Sequence, residues 1–208
     1  MARSHKVTPK KSYTGWIVLA IVVVVLLALV GWGVGTYNGF ITKETQVDQA
    51  WGNVQTEYQR RADLIPNLVN TVQGAADFEQ ETQTQLAGLR SGALAAKQEA
   101  AQATTPEELA AAGQKIDELV RQFNVIVSVE AYPQLRAIEN FLSLQDQLEG
   151  TENRITVARR DYNAAVTAYE QARRRIPSNI IAGIAGFEKR DLFEAEEGAE
   201  TAPEVTFT

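Results

Sequence analysis

The sequence predicts an all-α protein: one N-terminal transmembrane helix followed by a long antiparallel helical bundle of about four helices. Three observations carry that class. Between Ser12 and Thr42 there is no charged side chain, and this stretch holds the apolar run Trp16–Gly35. Beyond it, apolar residues recur at three- and four-residue spacing, which marks one face of a helix. No strand-like alternation of useful length interrupts the pattern before the C-terminus. The organisation that follows is a basic tail over 1–12, a transmembrane helix over 13–36, a bundle over 37–187 and an acidic tail over 188–208.

The span comes first. About 20 apolar residues at 1.5 Å rise cross a hydrocarbon core of about 30 Å. The run exceeds a signal-peptide core and no Ala-x-Ala site follows it, so an uncleaved anchor is expected. Tyr13 and Trp16 at one end, with Trp32 and Tyr37 at the other, match interfacial aromatic belts. Arg3, Lys6, Lys10 and Lys11 precede the span, whereas Lys43 follows it beside Glu44 and Asp48. The positive-inside rule then keeps the N-terminus cytoplasmic and sends the bundle across the membrane. Gly31 and Gly35 have the spacing that lets helix backbones approach closely. They read either as a seam for a homo-oligomer, with Trp16 and Trp32 on the lipid-facing surface, or as a glycine-rich exit from the bilayer.

The bundle helices follow in order. Val47, Ala50, Trp51, Val54 and Tyr58 share one stripe, continued by Ile65, Leu68, Val69 and Val72. Pro66 lacks a backbone donor, so a kink or short break is expected near Asp63–Pro66, with Asp63 capping the restart. The Ala- and Gln-rich stretch from Ser91 to Gly113 reads as a solvated helical hairpin at the far end of the bundle. Thr105-Pro106-Glu107-Glu108 signals a helix start: Thr as N-cap, Pro first, Glu three residues after the cap. Leu109, Ala112, Ile116, Leu119, Phe123 and Val127 line that helix. Tyr132-Pro133 marks a break, and Leu135, Ile138, Phe141, Leu142 and Leu148 form the next stripe, ending near Gly150. Thr151 then caps a final helix with Ile155, Ala158, Tyr162, Val166 and Tyr169, which stops around Ile176-Pro177. The tail from Glu194 reads as mobile on charge and composition.

Composition narrows the chemistry. The 208 residues include no cysteine and one histidine, His5. Disulfides, thiolate zinc sites, Cys nucleophiles, Ser-His-Asp triads and multi-histidine metal sites are therefore absent, and no cofactor is expected. A net charge of -6 argues against nucleic acid as a partner. What remains is a set of polar residues: Arg61 and Asp63 at one junction, with Glu152, Asn153, Arg159, Asp161 and Asn163 on the last helix. Glu152 and Arg159 lie about two turns apart, so both can share one side. These residues read as a charge-assisted network that fixes helix register. The competing reading is acid–base chemistry by paired carboxylates, a hydrolase or transglycosylase. Arg173, Arg174 and Arg175 suit either anionic lipid or an acidic partner, or simply a cationic helix C-terminus. The stretch Asn179–Phe187 after them is apolar but too short to span, so it would lie in the interface.

Several stretches go beyond pattern. Tyr37-Asn38, the segment Arg61-Ala-Asp-Leu-Ile-Pro-Asn-Leu-Val69 and the segment Thr151-Glu-Asn-Arg-Ile-Thr-Val-Ala-Arg-Arg-Asp-Tyr-Asn163 resemble the LemA family of bacterial membrane proteins. Tyr132-Pro133-Gln-Leu135, Leu144-Gln145, Arg175-Ile-Pro177 and Pro203-Glu-Val-Thr-Phe207 also fit. The resemblance implies one N-terminal membrane helix and a helical bundle, but no reaction and no agreed catalytic residues. It implies membrane proteases or other envelope proteins as neighbours, and a bundle on the cytoplasmic side, opposite to the charge count. A non-catalytic, membrane-anchored scaffold or adaptor is the resulting expectation.

Overall fold

Sixty consecutive residues, Thr14–Gln73, form a single helix, α1, about 90 Å long at 1.5 Å per residue. The computed structural model describes residues 14–74, 78–127, 132 and 138–194. The basic tail with Tyr13, the break at Pro133 with Leu135, and the final stretch 203–207 lie outside the described residues. Four more helices follow: α2 (Gln80–Gln102), α3 (Pro106–Ile126), α4 (Glu139–Arg174) and α5 (Ser178–Ala185). No strand occurs among the described residues.

Along α1 the environment changes once. The large apolar side chains from Trp16 to Val34 are exposed and meet little protein. From Phe40 onward the stripe Val47, Val54, Tyr58, Ile65, Leu68 and Val72 is buried. The exposed apolar run and the first bundle helix are thus one rod. Both α2 and α4 pack on α1, while α3 packs chiefly on α2 and touches α1. Pairings fix the directions. Tyr169, Tyr162 and Glu152 of α4 meet Phe40, Trp51 and Arg61 in turn. On α2, Arg90 bonds Asn70, Lys97 bonds Asp63, and Gln55 bonds the carbonyl of Ala100. Both helices therefore run antiparallel to α1, as the sequence predicts for the bundle.

Three local expectations are corrected. The break near Asp63–Pro66 is absent: Pro66 lies inside α1. A proline in a helix interior costs about 3 kcal/mol. Leu64, Ile65, Leu68 and Val69 are buried on either side of it, each worth about 1.5–3 kcal/mol, so packing wins. Asp63 is accordingly not a cap, and both its oxygens lie 2.7 Å from Lys97 Nζ. Nor does Thr151 cap a new helix. It is buried within α4 and donates its hydroxyl to the Leu148 carbonyl at 2.6 Å, so its polar group needs no helix end. Finally, the Ala-rich hairpin is not distal, and only its outer side is solvated. Ala93, Ala96, Ala100 and Ala112 are buried, and Gln55 of α1 donates to the carbonyl of Ala103 at the α2–α3 turn. Small side chains here let helices approach rather than face water.

The α3 start matches its sequence signal. Glu108 N–H donates to Thr105 Oγ1 at 3.2 Å, and Glu108 Oε2 accepts from the N–H of Thr104 and Thr105. Those bonds, the Thr104 backbone first, hold the Glu108 carboxyl below its usual value.

Close approach also governs the glycines. A Cβ on Gly113 of α3 would stand 2.5 Å from the Tyr58 ring of α1, whereas one on Gly52 would meet nothing within 4 Å. We expect Gly113→Ala to destabilise the bundle by about 1–3 kcal/mol through overpacking. Gly52→Ala should stabilise it by about 0.5–1 kcal/mol through helix propensity. Denaturant unfolding in detergent micelles, followed by circular dichroism, checks the opposite signs.

Candidate functional site

Arg61 is the charged residue buried in the middle of the bundle, its side chain only 10 % exposed. It joins three helices, its own α1 to α3 and α4. Its Nη1 lies 2.9 Å from Asp117 Oδ1 on α3, and its Nη2 lies 3.6 Å from Glu152 Oε2 on α4. A planar guanidinium suits this task because its donors fork toward separate carboxylates. The Asp117 side chain is 41 % exposed and that of Glu152 70 %. Solvent therefore screens the outer ends of both pairs.

The polar residues expected to act together fall into separate groups. Arg61 and Glu152 meet, but Asp63 turns to Lys97. Asn153 and Asp161 line an open groove of about 430 Å³ between α1 and α4, with Asn53 and Glu57 opposite. Arg159 and Asn163 face the C-terminal segment instead. The Asn163 amide donates to the Phe193 carbonyl and accepts from the Phe193 N–H, both at 2.9 Å. It pairs with that backbone as a neighbouring strand would.

This segment, residues 187–194, is a strap laid along α4. The Tyr162 hydroxyl donates to the Asp191 carbonyl at 3.0 Å, and the Tyr169 hydroxyl donates to that of Glu188 at 2.8 Å. Arg159 donates to the Glu194 carbonyl and lies over the Phe193 ring, 5.0 Å from its centre. Phe193 stacks on Trp51 and Phe187 on Phe40, so both rings are buried against α1. Residues 188–194 thus pack as part of the bundle. Burial pushes the Tyr162 and Tyr169 hydroxyls up from their ordinary value.

Glu170 closes the membrane-proximal end of the strap. Its Oε1 accepts from the Arg190 backbone N–H at 3.1 Å and from Arg173 Nε at 3.0 Å; Arg174 reaches Oε2 at 3.3 Å. Burial opposes its ionisation. The Arg173 hydrogen bond, the Arg190 N–H and the charges of Arg173 and Arg174 outweigh burial and hold this carboxyl below the ordinary range. Arg190 itself reaches Glu44 and Asp48 on α1 at 3.4 and 3.2 Å. Of the three consecutive arginines 173–175, Arg173 and Arg174 are thus engaged with Glu170, and Arg175 is exposed at the α4 terminus. Trp16, Gly31, Trp32 and Gly35 sit on the exposed part of α1, and nothing within 4 Å would meet a Cβ on either glycine.

With this geometry in hand, residues 50–207 match the LemA family. The chain belongs to the LemA family. Two magnetosome proteins of Paramagnetospirillum magneticum, MamQ 1 and MamQ 2, are each 24 % identical to it over 183 residues. Those alignments cover 79 % of this chain and 67 % of each relative. The magnetosome protein MamQ of Magnetospirillum gryphiswaldense is 23 % identical over 202 residues, 89 % of this chain and 74 % of the relative. Together with the apolar start of α1, these relatives mark a membrane-associated helical protein. Within this LemA chain the Arg159–Asn163 stretch acquires a physical task, since three of its side chains hold the strap.

Sequence reasoning missed Asp117, Glu170 and Arg190. For Asp117 a signal existed: Gly113, one helical turn earlier, marks a close approach on the same face. For Glu170 and Arg190 none did, because their pairing depends on how the strap returns.

Two outcomes follow for the LemA bundle. Asp117→Ala leaves the buried Arg61 charge without its shorter contact and should cost about 2 kcal/mol. Glu152→Ala removes a longer, solvent-screened contact and should cost under about 1 kcal/mol; urea unfolding of the two variants checks the order. Glu170 supplies a pH dependence. Its folded pKa is depressed, so its stabilisation is complete above the ordinary carboxylate range and is lost as pH falls through it and below. Glu170→Gln should lower Tm at neutral pH and flatten the fall of Tm between about pH 5 and 3.

Proposed function

We propose that this LemA-family chain is a non-catalytic scaffold or adaptor of the bacterial envelope. It is anchored by α1 and holds partner proteins or the membrane itself in a set geometry. The supporting observation is the continuity of α1. One helix carries the apolar run and the axis of the bundle, so the bundle's direction follows the anchor's instead of swinging on a linker. In this reading the N-terminus is cytoplasmic and the bundle extracytoplasmic, with the charge imbalance around the span as support. Copies associate through Gly31 and Gly35, which no described residue covers. Membrane proteases and other envelope proteins are the partners this reading assigns. The alternative, a carboxylate-dependent hydrolase or transglycosylase, gains little from the geometry, since Asp117 and Glu152 face a guanidinium and Asp161 is exposed.

Two double variants separate the readings in a strain lacking the chromosomal copy. Gly31→Leu with Gly35→Leu should shift crosslinked oligomers in native membranes toward monomer and reduce co-captured envelope proteins. Glu152→Gln with Asp161→Asn should leave oligomers, partners and complementation unchanged. Lost complementation by the amide variant, with its fold, oligomers and partners intact, would establish carboxylate chemistry instead.

A further inference from the structure

The short helix α5 follows α4 where the chain returns to the base of the bundle. Its inner side is settled: Ala182 is buried, and Gly186, at φ 77°, turns the chain so that Phe187 packs on Phe40 and Tyr37. No described residue covers its outer side. Ile176, Ile180 and Ile184 recur every four residues, and all three are exposed, Ile184 by 81 %. Two exposed isoleucines on an eight-residue helix, with a third in the turn before it, would be costly in water.

The height of α5 identifies what covers them. Ile181 lies against Gly33, where a Cβ would stand 3.8 Å from Ile181 Cδ1. Gly33 belongs to the uncharged apolar run of α1. It precedes Tyr37 by one turn, about 6 Å, and the first buried core ring, Phe40, by about 10 Å. A helix lying in a membrane interface sinks about 5–10 Å past the headgroup boundary. Hence α5 sits at interfacial depth, beside the point where α1 leaves the hydrocarbon. Just above it are Arg174 and Arg175, exposed at the α4 terminus, at the level of lipid headgroups.

We propose that α5 is a second membrane contact, an interfacial helix whose Ile180 and Ile184, with Ile176 in the turn just before it, enter the same bilayer leaflet that α1 leaves. The arginines at the end of α4 meet the headgroups of that leaflet. The contact rests on the reading that α1 spans the bilayer. It makes the bundle stand on two supports, which restrains tilting and rotation about α1. Its occupant is lipid and not a second copy, because α5 is level with the apolar run.

The absence of cysteine gives a clean test with the full chain. Single variants Leu26→Cys, Ile180→Cys, Ile184→Cys and Thr167→Cys carry an environment-sensitive fluorophore. Each is reconstituted in phosphatidylcholine vesicles with and without phosphatidylglycerol. Quenching by nitroxides on the lipid chains is compared with quenching by iodide present on both faces. Lipid quenching at Ile180 and Ile184 should exceed that at Thr167 several-fold, and Leu26 should be quenched at greater depth. Iodide quenching of the α5 labels equal to that at Thr167, with Leu26 still lipid-quenched, overturns the α5 contact and leaves the span standing. Iodide access at Leu26 overturns the span and the α5 contact with it. A disulfide between copies at Ile184→Cys, without lipid quenching there, overturns lipid as the occupant. Both α5 positions are exposed, so these substitutions leave the core untouched.

Discussion

A helix of about 90 Å keeps one direction only if each part of it finds an environment suited to its side chains. In α1 the apolar first third carries nothing that needs water, and the part beyond Phe40 is covered by α2, α3 and α4. Everything else hangs on that rod. The long helices α2 and α4 take their direction from it, the strap rests its two phenylalanines on it, and α5 touches it lower down. Pro66 shows how firmly the constraint holds. An isolated helix would break there, yet the buried Leu and Ile residues around it outweigh the lost hydrogen bond.

The distribution of polar groups follows from the same geometry. With one helix at the centre, a single long side chain at its midpoint can reach two neighbours, and Arg61 does so. Farther down, α4 uses its polar side differently. Its Arg159, Tyr162, Asn163, Tyr169 and Glu170 supply donors and acceptors to the backbone of an extended segment that lacks a strand partner. Such a row resembles a reactive site in sequence because it collects Arg, Tyr, Asn and Glu at helical spacing. Its chemistry is backbone satisfaction, which every buried extended segment requires.

That explains what could be read from the sequence. The long apolar N-terminal helix, the helical class, the Thr105 cap and the end of α4 near Arg174 depend on local composition and were legible there. Pro66 and Thr151 misled because each is a local stop signal overruled by burial. The alanines between Ser91 and Gly113 misled for a different reason: small size allows solvent exposure and tight packing alike, and only the tertiary partner decides. Arg61 and Glu152 were legible only as members of one polar set, without their pairing, and Asp117 required knowing that α3 meets α1 at Tyr58. The strap's attachment was invisible, since its acidic sequence reads as solvated while Phe187 and Phe193 supply the anchors.

The membrane end of the rod carries two separable faces. Successive residues on a helix turn by about 100°, so Gly31 and Gly35 lie within about 40° of each other, and Gly33 lies about 160° from either. Ile181 occupies the Gly33 side, while the Gly31 and Gly35 side is open along the same turns. A close-packed contact between anchors would therefore leave α5 free to lie outward in the interface. Conversely, an α5 seated in lipid would fix which side of α1 turns toward a neighbour. The alternation Gly-Trp-Gly-Val-Gly from 31 to 35 is in this sense a two-sided surface, and loss of space on one side need not disturb the other.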